Sequence, residues 1–179
     1  GAGRHEVWLY KATEAHTGPV FVVKAAGTDI KASQRAAAPL IEFIGNSITC
    51  GAAADPSDVS CGTGEYHDQH NAYFAYGPRV ARALSANFIL SSVSGIGIYR
   101  NWNSDGPAMP EVFHTSDFQM NGERVWNFDR YHPDIVSIAL GTNDFSGGDG
   151  TKPRLPFDST AFVESYISFV EDVKSKYNT

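Results

Sequence analysis

The chain has 179 residues, 42% of them hydrophobic, enough for one domain with a substantial core. Twenty acidic against fourteen basic residues give a net charge of −6 with no basic run. That balance excludes the electrostatic footprint of a nucleic-acid binder, and no apolar run approaches the roughly 20 residues of a membrane-spanning helix.

From the amino terminus, Glu6-Val7-Trp8-Leu9-Tyr10-Lys11 and Pro19-Val20-Phe21-Val22-Val23-Lys24 read as two β-strands around a Gly18-Pro19 turn signal. A linker with Gly27 and the alanine stretch at 36–38 separates them from α/β-like patterning, and the boundary is set after residue 37. An apolar run at 40–44 then leads into Gly45-Asn46-Ser47, a serine on a glycine-flanked turn. Cys50 and Cys61 bracket the next loop at a separation that suits either a disulfide or two thiols. His67 and His70 lie three apart, but a metal site needs a third ligand at a known position, so no metal is expected.

Residues 71–86 carry apolar side chains near helical spacing, with Asn71 as a candidate cap and Gly77-Pro78 as an interruption. A second apolar run at 88–93 ends in Ser94-Gly95-Ile96-Gly97. Arg100 stands where a dinucleotide fingerprint needs its third glycine, and no phosphate-binding Gly-Lys-Ser/Thr occurs, so no nucleotide cofactor is expected. The segment 99–131 reads as a loop rich in aromatics, among them Trp102, Phe113, Phe118, Trp126 and Phe128, which either pack the loop or stack on sugar rings. A third apolar run at 135–140, apolar on both faces as in an interior strand, ends in Gly141-Thr142-Asn143-Asp144. Asp144 and Asp149 read as turn or cap residues, Asp144 with a secondary candidacy for the site. A helix is predicted from Ser159 to Tyr177, capped by Asp158 or Ser159, with Phe162 or Val163, Tyr166, Ile167, Val170, Val173 and Tyr177 on its buried side.

Three apolar runs ending in small or amide-bearing residues are expected of parallel strands feeding one site. Ser47 is the candidate nucleophile, and the Gly95 amide with the Asn143 side-chain amide could hold the oxyanion of a tetrahedral acyl intermediate. Together they point to acyl transfer.

These three ordered blocks resemble the SGNH, or GDSL, hydrolases, and within them the acetyl-removing carbohydrate esterases of acetylxylan esterase type. The resemblance implies a flavodoxin-like three-layer α/β domain at residues 38–179 with Ser47 as nucleophile and Gly95 and Asn143 in the oxyanion hole. It implies a serine esterase that deacetylates a xylan-like polysaccharide outside the cytoplasm, with Trp102, Trp126 and Asp144 as candidates for substrate contact. Residues 1–37 then read as the last strands and linker of a jelly-roll accessory domain. The alternatives are a non-catalytic carbohydrate-binding or truncated fragment of such a hydrolase and a lipase- or thioesterase-type member.

Two departures are visible. Asn46 replaces the usual aspartate before the serine, and no Asp-x-x-His block follows the third block to supply the base. His132, before Pro133-Asp134, falls at the wrong end of its strand for that task. Two further strands and a histidine-bearing helix are therefore expected from another chain, a swapped copy or a segment outside this sequence.

Overall fold

The computed structural model describes residues 3–33, 37–120, 122 and 124–177. Three strands, β1 (Leu40–Gly45), β2 (Asn87–Ser92) and β3 (Ile135–Ala139), form one parallel sheet in the order β2-β1-β3. Leu40 pairs with Asn87 and Ile41 with Ile135, so all three strands place their carboxyl ends on one side. The central position of β1 explains its near-complete burial: Ile41, Phe43 and Ile44 are covered on both faces, each contributing about 1.5–3 kcal/mol.

Among the described residues five α-helical segments accompany the sheet: α1 (Ser47–Cys50), α2 (Tyr76–Ala83), α3 (Met109–Val112), α4 (Thr142–Phe145) and α5 (Ser159–Tyr177). Asn71 caps a short 3-10 turn before α2, its side chain accepting from the Tyr73 amide at 3.1 Å. Gly77 and Pro78 fall in the first turn of α2, where the missing proline N–H costs nothing. A side chain at Gly77 would meet the Phe43 ring at 2.7 Å, so this glycine lets α2 lie close against β1.

Asp158 caps α5 through the Ala161 amide at 3.0 Å. The buried stripe of α5 is Phe162, Tyr166, Phe169, Val173 and Tyr177, while Val163 and Ile167 face outward. The expected face holds at Phe162, Tyr166, Val173 and Tyr177, while Ile167 is exposed and Phe169 joins the buried side. Two apolar stripes overlap in its sequence, and Phe169 wins the buried side because it meets Phe113 edge-on at 5.3 Å. The aromatics of 99–131 largely pack this same core: Phe113 lies 5.5 Å from Phe128, and Phe128 5.5 Å from Tyr177.

Two expectations are corrected. Among the described residues the strand at 135–139 stands at an edge of the sheet, with Ile135 54% exposed, although its sequence is apolar on both faces. Among the described residues, 6–11 and 19–24 form no ladder, and Val7, Leu9, Phe21 and Val23 are exposed. The amino-terminal segment instead docks on the α/β unit: Tyr10 stacks on Phe88 at 5.9 Å, and the Ala72 amide donates to the Ala12 carbonyl at 3.0 Å. Of the alanine stretch, Ala36 lies outside the described residues.

Candidate active site

The carboxyl ends of the three strands bring the three sequence blocks to one edge of the sheet. Ser47 opens α1 directly after β1, and Asn46 caps that helix by accepting from the Ile48 amide at 3.2 Å. The asparagine thus retains the capping role open to an aspartate. Gly45 is required by packing: a Cβ there would fall 2.0 Å from Thr49 Oγ1 and 3.2 Å from the Ala139 carbonyl. Gly51 closes α1 in the left-handed region at φ +83°.

Gly95 also has a left-handed backbone, φ +81°, with open space where a side chain would stand. Its carbonyl accepts from the Trp102 amide at 2.8 Å, and among the described residues its own amide donates to no backbone carbonyl. Asn143, 8% exposed, donates from Nδ2 to the Ile96 carbonyl at 2.7 Å. That bond uses one of the two amide hydrogens and fixes the side chain beside the turn that carries Gly95.

Asp144 is fully buried. Its Oδ1 accepts from the amides of Ile98, Tyr99 and Arg100 at 3.0, 2.9 and 3.2 Å, and its Oδ2 from Ile98 at 3.0 Å. It ties the second block to the third and cannot reach a ligand, which removes it from the candidates for substrate contact. Two arginines missed in the sequence reinforce the tie. Arg100 Nε donates to the Asp144 carbonyl at 2.7 Å, and Arg154 donates to the carbonyls of Asn143 at 2.6 Å, Asn101 at 2.6 Å and Trp102. No local pattern announces such long-range carbonyl contacts. Asp149 accepts from the Thr151 amide and hydroxyl in an exposed turn, and these bonds lower its pKa to about 2.

Trp102 follows the Gly95 turn and is 42% exposed, whereas Trp126 stacks on Tyr131 at 5.1 Å. Tyr131 precedes the amino end of β3, opposite the Asn143 end, so Trp126 is set aside as a substrate contact. Cys50 is buried and Cys61 exposed, and both are free thiols; burial, with the Glu14 carboxylate beside it, pushes the Cys50 thiol up.

Residues 129–132 spell Asp-x-x-His, but they stand before β3 at the far end of the sheet, and His132 Nε2 pairs with the Asp129 carbonyl at 2.9 Å. His70 Nδ1 meets Glu14 Oε1 at 3.2 Å and His67 Nδ1 at 3.3 Å. Among the described side chains no imidazole is hydrogen-bonded to Ser47. The third donor that spacing alone did not supply to the His67 and His70 pair is therefore Glu14, from the amino-terminal segment.

The fold and the ordered blocks define a class. Residues 43–178 match the GDSL-like Lipase/Acylhydrolase family, and the chain belongs to it. Among its relatives, the cellulase/esterase CelE of Acetivibrio thermocellus is 34% identical over 98% of this chain and 20% of its own length. An acetylxylan esterase / glucomannan deacetylase of Cellvibrio japonicus is 28% identical over 97% of this chain and 49% of its own. A family two carbohydrate esterase from Clostridium thermocellum, solved in complex with cellohexaose, superposes with a TM-score of 0.69 at 30% identity, covering 83% of this chain and 42% of that one. The chain thus spans half or less of the length of these relatives.

Proposed function

We propose that the chain carries the nucleophile and oxyanion hole of a serine esterase that removes acetyl groups from a plant-type polysaccharide through an acyl-enzyme. The observation that carries this reading is the convergence of Ser47, Gly95 and Asn143 at the carboxyl ends of three parallel strands, with Asn143 held to the Gly95 turn at 2.7 Å. Ser47 Oγ attacks the acetyl carbonyl. The Gly95 N–H and the second Asn143 amide hydrogen hold the negative oxygen, the sugar hydroxyl leaves with a proton, and water then releases acetate from Ser47. Exposed Trp102 beside the Gly95 turn offers a face on which a sugar ring can stack.

The relatives described as acetylxylan esterases and carbohydrate esterases support the substrate class, and the acidic surface fits a weakly charged ligand. Among the described residues no helix is long and apolar enough to cross a membrane, and a polysaccharide substrate would be met outside the cytoplasm. The proton of Ser47 needs a base, and this reading takes it from outside the described side chains. Sheet and base would be completed by another segment or chain.

A second reading, carbohydrate binding without cleavage, is favoured by the engagement of His70 and His132 away from Ser47. Turnover of 4-nitrophenyl acetate by the chain and by its Ser47→Ala variant separates the two. Release that depends on Ser47 supports the esterase; equal rates, with retained binding of xylan oligosaccharide, support the binding module.

A further inference from the structure

Glu14 is far in sequence from the neighbouring His67 and His70, yet the donor atoms of all three lie within 4.8 Å of one another. The side chains of Glu14 and His70 are 0% and 3% exposed, while His67 is exposed to solvent. Tyr66 packs edge-on against both imidazoles, with centroids 4.9 Å from His67 and 4.6 Å from His70, and so restricts their rotation.

His70 Nδ1 faces two lone-pair-bearing atoms at once, Glu14 Oε1 at 3.2 Å and His67 Nδ1 at 3.3 Å. This nitrogen carries at most one hydrogen, which cannot point well at both neighbours. If the hydrogen sits on His67 instead, His70 Nδ1 and Glu14 Oε1 turn lone pairs towards each other. A cation at the centre removes the conflict by accepting a lone pair from each donor. The two separations at His70 Nδ1 fit: tetrahedral ligands about 2.0–2.1 Å from zinc stand roughly 3.3 Å apart. Two imidazoles and one carboxylate suit zinc better than a hard cation such as magnesium or calcium.

The geometry points to a zinc-binding site formed by Glu14, His67 and His70, with the fourth position open to water on the exposed side of His67. The site is distinct from the proposed esterase centre and does not rest on that reading. Its role is to fasten the amino-terminal segment to the loop that follows Ser47. Glu14 Oε2 also accepts from the Ser94 amide at 2.8 Å, so occupancy further steadies the residue before Gly95.

The test uses the full chain, stripped by a chelator and titrated with Zn²⁺ by calorimetry and with Co²⁺ by visible absorption. One saturable equivalent, the intense visible band of four-coordinate Co²⁺ and a raised Tm on adding Zn²⁺ are expected. His67→Ala should weaken binding at least tenfold while leaving the far-ultraviolet circular dichroism unchanged, because His67 is exposed. His70→Gln should do the same, and Cys61→Ser should bind like the parent. Absence of saturable binding overturns the proposal. So does binding that survives His67→Ala and His70→Gln, or that is lost in Cys61→Ser alone.

Discussion

A methyl group added at Gly97 would fall 2.7 Å from Asp144 Oδ2, because the turn from Gly97 to Arg100 wraps directly over that carboxylate. The contact joins the second and third blocks into one unit. Asp144→Ala removes the acceptor of three backbone amides, and hydrogen bonds to a charged group are worth about 1.5–3 kcal/mol each. Urea denaturation should show a loss of about 3 kcal/mol or more, with Asp144→Asn milder.

Asn143 is expected to act on the transition state more than on substrate binding. Asn143→Ala should lower kcat about 10²–10³-fold with little change in KM, as for other oxyanion-hole donors. Steady-state kinetics on an acetylated substrate checks this. A purely structural role would instead appear as a lowered Tm with kcat per folded molecule retained.

Glu42 lies buried in the central strand, and burial raises its pKa above the ordinary 4.5; the nearby hydroxyls of Ser91 and Tyr177 offset part of the rise. The folded state therefore holds the Glu42 proton more tightly than the unfolded chain. Its contribution to stability is present below pH 4.5 and is lost as pH rises through the folded-state value. Glu42→Gln should thus stabilise the protein relative to the parent at pH 8, with the difference shrinking on acidification. Unfolding midpoints measured from pH 4 to pH 8 decide it, and a gap independent of pH would contradict it.

Gly45→Ala should be severely destabilising, since the new methyl meets Thr49 Oγ1 at 2.0 Å and Thr49 is fully buried. Part of the loss should return in the Gly45→Ala, Thr49→Ala double variant, which removes the Oγ1 contact and keeps those to the residue 49 Cβ at 2.8 Å and to the Ala139 carbonyl at 3.2 Å. A double-mutant cycle that shows no coupling would refute this account.

The two cysteines should report separately. A thiol-specific disulfide reagent should label exposed Cys61 at once and Cys50 only after denaturation.

Where local chemistry decides, the sequence reads clearly. Asn71 and Asp158 cap as expected, and the three apolar runs become the three parallel strands. Where the decision is made at a distance, it does not. The face of α5 depends on Phe113, the edge position of β3 on strand order, and the roles of Glu14 and Arg154 on partners in distant segments. The segments at 6–11 and 19–24 show the converse, since a strand-like pattern forms a strand only where a neighbouring strand pairs with it.

The central place of β1 bears on how the chain comes off the ribosome. Of the three described strands the earliest in the chain is the one in the middle, so Leu40 waits for Asn87 and Ile41 for Ile135 before both sides of β1 are paired. During synthesis this apolar ribbon is a naked template for stray pairing, and chaperone demand should peak in that interval. Nascent chains arrested before residue 87 should show no amide protection in β1. Those arrested after residue 139 has cleared the exit tunnel should show it.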